Sequence, residues 1–168
     1  MNKLLAVLFA LTILLSAAGS AETAIPESYN WTDITEETAV EGTVIEVSEY
    51  GFSIWLPEGW ETKDSEYGLM LLSADGMQGL VVSQVIKRNS LMDDPENYLA
   101  NYKNDILASQ DSQIVSVNGF PVVNSFDTLN GLVNLYFISD HGMINIMTDM
   151  NPESKLFVTI LSSLQLAE

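Results

Sequence analysis

An α+β fold, an antiparallel sheet of about six to eight strands packed by three helices, follows from three features of the sequence. Turn signals recur at close intervals in the second half, at Asn118-Gly119, Asn130-Gly131 and Asp140-His141-Gly142. Between them lie runs of β-branched and aromatic residues, the pattern of a four-stranded antiparallel meander. Asp94-Pro95-Glu96 and Asn151-Pro152-Glu153 each place a capping side chain, a proline and an acid ahead of residues of helical period, and that order opens helices. The chain has 168 residues, 47% of them hydrophobic, which suits one domain with a real core and is too apolar for disorder.

Residues 1–21 carry one cation at Lys3, an uncharged, apolar run from Leu4 to Leu15 with Thr12 its one polar residue, and small residues through Ala21. The run falls short of the roughly 20 residues that cross a bilayer, so it reads as a secretory signal peptide cleaved near Ala21. No cysteine follows it, so a lipid anchor is not expected. The expectation is a secreted, extracytoplasmic chain with no membrane span after cleavage.

Residues 22–42 form an acidic segment. Thr32 or Asp33 can cap a short helix through Val40, with Trp31 just ahead of the cap and Gly42 as a left-handed stop. The domain proper spans residues 43–168. Thr43–Ser48 and Phe52–Leu56 read as strands around a turn at Glu49 to Gly51, with Pro57 closing the second because it has no amide to give a ladder. Tyr67–Ser73 and Gly79–Ile86 pair around Asp75-Gly76. Alternation puts Leu80, Val82 and Ile86 on one face and Val81 and Val85 on the other, a strand expected to be covered on both sides.

From Pro95 the spacing predicts a helix, with Tyr98, Leu99, Tyr102, Ile106 and Leu107 inward and Asn97, Asn101 and Asn104 outward. The meander follows: Gln113–Val117, Phe120–Thr128, Leu132–Ser139 and Met143–Asp149, the third strand being central because it is apolar on both faces. A terminal helix buries Leu156, Phe157, Ile160, Leu161 and Leu164.

This order of elements resembles the PsbP-like, Mog-type sandwich. The residues that carry the resemblance are Gly51 to Trp60, with its Phe-Ser-Ile-Trp-Leu-Pro-Glu-Gly-Trp run, the Pro95 to Ser109 helix, Val117 to Phe120, and the closing Leu156 to Leu166 stretch. The resemblance implies a sandwich in an extracytoplasmic setting, and activities that are mostly binding or assembly. It carries no functional residue onto this chain.

Composition removes several chemistries. There is no cysteine, hence no disulfide, thiolate zinc site or Cys nucleophile. Six Lys and Arg against 23 acids, net charge -17, leave no basic cluster to neutralise nucleic-acid phosphates. Such charge repels anionic polymers and steers cationic partners inward. His141, the one histidine, has Asp140 beside it but no Gly-x-Ser-x-Gly elbow to supply a nucleophile. Glu58 and Glu61 flank Trp60 and are the best-placed carboxylate pair for a glycosidase-like hydrolase. Asp127 to Gly131 is a calcium-loop fragment with one carboxylate. Met143, Met147 and Met150 hint at soft copper ligation, but Met150 points away from the other two. Trp31 and Trp60 could form an aromatic platform. The leading expectation is a non-catalytic binding or assembly module of a bacterial cell envelope with no cofactor, its partner a protein or other envelope component, and Trp31, Trp60, Glu58 and Glu61 as candidate contact residues. A small acidic hydrolase and a calcium-dependent surface protein are the alternatives.

Overall fold

A computed structural model describes residues 42–167 apart from Ser109 and Glu153. The expected signal peptide, Trp31 and the short helix through Val40 lie outside the described residues. In chain order the strands are β1 (Gly42–Val47), β2 (Phe52–Pro57), β3 (Glu61–Ser65), β4 (Gly68–Leu72), β5 (Gly79–Lys87), β6 (Asp111–Val117), β7 (Phe120–Asp127), β8 (Leu132–Ser139), β9 (Gly142–Thr148) and β10 (Gln165–Leu166). A single 3₁₀ turn (Ser90–Asp93) leads into helix α1 (Pro95–Asp105), and α2 (Lys155–Ser162) precedes β10.

The strands form two antiparallel sheets where the sequence suggested one. Seven make the large sheet, in the order β3-β4-β5-β9-β8-β7-β6, and three make a small one, β1-β2-β10. β2 separates because its apolar row Phe52, Ile54 and Leu56 is buried against the large sheet, with Phe52 meeting Phe137 edge-on at a centroid distance of 5.4 Å. The small sheet and α2 together cover the inner face of the large sheet. Leu80, Val82, Leu135, Phe137, Ile144 and Ile146 join Phe157, Ile160 and Leu161 there in the main core. On the outer face α1 packs over β7, β6 and β8, closing a smaller core of Met92, Leu99, Leu107, Val123, Ile138 and Met143.

Several local expectations hold. Asp94 caps α1, its carboxylate accepting from the Asn97 amide at 3.2 Å, and Pro95 is the first helical residue. Asn118 and Gly119 both take positive φ, 47° and 86°, as a two-residue hairpin turn demands. The Asn118 side-chain amide then donates through Nδ2 to the carbonyls of Ser162 at 2.6 Å and Leu164 at 2.9 Å, so the β6–β7 turn satisfies the open end of α2.

Others need correction. Gly42 is the first residue of β1 and not a left-handed stop; a Cβ there would strike the Leu56 carbonyl and the Trp55 indole. β3, the sequence Glu-Thr-Lys-Asp-Ser, carries no strand signal of its own: it is a polar edge strand, and an edge facing water needs no apolar alternation. β10 has two residues, and just ahead of it the Ser163 hydroxyl accepts from the Trp55 backbone amide at 2.8 Å in place of a ladder bond. A bulge between Gln84 and Ile86 reverses the alternation of β5. Ile86 therefore joins the outer core and not the face of Leu80 and Val82, while Val85 is 44% exposed. Asn130-Gly131 is no two-residue turn, because Asp127 pairs with Leu132 and leaves a four-residue loop. α1 ends at Asp105, which leaves Ile106 exposed. α2 is capped by Ser154 and not Asn151, the Ser154 hydroxyl accepting from the Phe157 amide at 3.2 Å. β8 is interior as expected, and β9 is the middle strand.

Candidate functional site

The chemistry-bearing residues are scattered. Glu58 sits in the turn after β2, where Gly59 has a φ of 81° and the Trp60 amide donates to the Pro57 carbonyl at 3.1 Å. Trp60 is half-buried and packs against the main core. Glu58 and Trp60 line a shallow recess with Thr43, Ile45, Leu56 and Pro57, and Glu61 is not part of its wall. Both carboxylates are exposed, whereas a glycosidase pair holds one carboxyl in an apolar pocket.

His141 is exposed in the β8–β9 turn. Its carbonyl accepts from the Arg88 amide at 3.0 Å and from the Gln84 side chain, and its amide donates to the Ser139 hydroxyl at 3.2 Å. The Ser139 hydroxyl in turn donates to the Gly142 carbonyl at 3.4 Å, so this hydroxyl is engaged by the turn backbone on both sides. In the Asp127 loop the carboxylate accepts from the amides of Leu129 and Asn130 and from the Asn130 side chain at 2.6 Å. These bonds fix the loop and occupy the ligand that a calcium reading needs.

The methionine trio of the sequence does not assemble. Met143 is fully buried in the outer core and Met150 lies in the main core. Met147 instead shares a groove with two methionines that sequence proximity could not suggest. Met70 and Met147 are both cross-strand partners of Val81, and cross-strand partners share a face. With Met77, Leu132, Gly79 and Asp149 these residues line one groove on the outer face. Met77 is 56% exposed, and Leu129, on the loop leading into Leu132, is 90% exposed. Crowding at the Asp149 carboxyl removes water from it and raises its pKa above the ordinary value.

The groove exists because a helix is about 10 Å across while strands lie about 4.8 Å apart, so one helix covers two or three strands. α1 covers β6 to β8, and beyond it Met70 of β4, Val81 of β5 and Met147 of β9 stay half-exposed on the outer face. A polar seam marks the boundary: Asn145 of β9 donates to Asn134 of β8 at 3.4 Å. Under α1, Tyr136 hydrogen-bonds Tyr102, and burial raises the pKa of its phenol well above the ordinary tyrosine value. The legible signal for the groove was numerical: one central helix for a sheet apolar on both sides.

No protein-family model matches the chain, and no curated protein is similar to it. Among solved structures, a crystal structure from Bacteroides thetaiotaomicron is similar over 77% of this chain, with 13% identity and a TM-score of 0.50. It is a longer protein, of which this chain spans half. That likeness shows the fold and nothing of the activity. A solution structure of cyanobacterial PsbP (CyanoP) from Synechocystis matches 76% of the chain and 94% of its own length, at 10% identity and a TM-score of 0.36. This second match adds nothing to what the layers themselves display: an antiparallel α+β sandwich of the kind that the sequence resemblance implied.

Proposed function

We propose that this protein is a secreted, non-catalytic binding or assembly module of the bacterial cell envelope, and that it engages a protein partner through the uncovered half of the outer sheet face. One observation carries the reading. Met70, Val81 and Met147 are half-exposed neighbours on a sheet face that the described helices leave open; the buried Leu132 and the exposed Met77 line the same groove, and Leu129 is exposed on the loop that leads into Leu132. Contiguous exposed apolar surface rimmed by polar groups marks interaction sites, and unbranched thioether side chains adapt to a partner's shape. A chain of net charge -17 selects a partner whose apolar side chains are flanked by Lys or Arg. The signal-peptide pattern of residues 1–21 supports the extracytoplasmic setting.

The test is site-specific photo-crosslinking in the producing cell, with the reactive group at position 77 or 129. Position 91 is the control, since Leu91 is 73% exposed but lies beyond the far end of β5. A discrete adduct from 77 and 129, absent from 91 and lost in a Met70→Glu, Met147→Glu variant, is expected. Adducts equal at all three positions, or none, would contradict the proposal. The double variant Glu58→Gln, Glu61→Gln should leave the adducts unchanged; their loss would return the site to Trp60.

A further inference from the structure

We infer that Met70, Met77 and Met147 form a thioether site for a soft monovalent cation, Cu(I) or its chemical stand-in Ag(I). The inference does not rest on a protein partner. The chain has seven methionines, and these three reach one cavity from three separate elements: β4, the hairpin tip between β4 and β5, and β9. The cavity holds about 30 Å³, room for one occupant the size of a water molecule. Met70 and Met147 stand two strand spacings apart across Val81. That is about 10 Å between backbones, a gap that two side chains with three rotatable bonds each can close.

Core filling, the ordinary work of methionine, falls to other residues. Met92 and Met143 are 0% exposed and Met150 is 5% exposed, while Met77 is 56% exposed and leaves the cavity an access path. Neutral thioethers prefer soft, low-charge ions. The chain offers such an ion no competing thiolate, and its one imidazole, His141, lies at the opposite end of β9 from Met147. Asp149 lines the same cavity and supplies a negative charge to balance the cation. Its carboxylate forms no ion pair among the described residues. Calcium and magnesium are poorly served, because they require six or more oxygen ligands. The only cavity-lining side chains with oxygen are Gln78, Thr148 and Asp149, and the Thr148 hydroxyl already donates to the Gly79 carbonyl at 2.8 Å.

The experiment labels the methionine methyl groups with carbon-13 and titrates Ag(I), which is diamagnetic, into the protein while NMR follows each methyl. At one equivalent the signals of Met70, Met77 and Met147 should move and those of Met92, Met143 and Met150 should not. Cu(I) affinity, measured anaerobically against a chromophoric Cu(I) chelator, should fall at least tenfold in each of Met70→Leu, Met77→Leu and Met147→Leu. These replacements keep volume and apolarity, and an unchanged melt confirms that the fold is intact. Shifts absent at one equivalent, or spread equally over these three methyls and those of Met92, Met143 and Met150, would overturn the site. So would a triple leucine variant that binds Cu(I) as well as the parent. Since the readout needs no partner, its failure leaves the crosslinking test standing, and the reverse also holds.

Discussion

The two faces of the large sheet divide the molecule's work. On the inner face every strand from β4 to β6 contributes to one continuous core, sealed by β2 and α2. On the outer face one helix among the described residues covers β6 to β8, and Met70, Val81 and Met147 beside it stay half-exposed. The same alternating chain thus builds a stability face and an open face, and the difference comes from the number of covering elements, not from the hydrophobicity of the strands. Residues on the two faces should therefore respond very differently to substitution.

Phe137 on the inner face is fully buried between Phe52 and Phe120. Phe137→Ala should cost about 3–5 kcal/mol, measured by urea unfolding. A loss below about 1 kcal/mol would break the comparison on its stable side. Asn118→Ala removes both bonds to the α2 carbonyls and places a Cβ-bearing residue without a polar side chain at positive φ. About 1–3 kcal/mol should be lost by the same measurement, and the β6–β7 hairpin should exchange its amides faster.

Under α1 the comparison can be sharpened by pH. The folded state favours the neutral Tyr136 phenol, so its pKa is raised relative to the unfolded chain. Its contribution is complete below the ordinary tyrosine value of 10.0 and is lost as pH climbs above that value toward the folded one. Tyr136→Phe, which keeps the ring packed against Tyr102, should flatten the alkaline decline of the melting temperature. An unaltered decline would show that the outer core beneath α1 is as wet as the open strip. The smallest effect belongs to the bulge: Val85→Thr, at a position 44% exposed, should change stability by no more than about 0.5 kcal/mol.

Legibility followed the range of the interactions. The Asp94 cap, the Asn118-Gly119 turn and the meander depend on neighbours within a few residues, and each could be read directly. β3 could not, because its polar residues are strand only where β4 offers an edge to pair with. The bulge at Val85 was invisible for a similar reason. A strict two-residue period assigns Ile86 to the inner face, and only its pairing with Met143 places it outside. The division into two sheets depends on where Phe52 packs, 85 positions away from Phe137. At the site, Glu58, Trp60 and Glu61 stood out because they are adjacent in sequence, and adjacency in a turn sends side chains apart. Met70 and Met147 are far apart in sequence and come to one face only through the register that each shares with Val81.

The most direct test of the open face is methyl accessibility in the full chain. With the methionine methyls labelled and a soluble paramagnetic agent added, the signals of Met70, Met77 and Met147 should broaden together while those of Met92, Met143 and Met150 stay sharp. If Met70 and Met147 are instead as protected as Met143, that half of the sheet is covered, and both the binding surface and the thioether site are wrong.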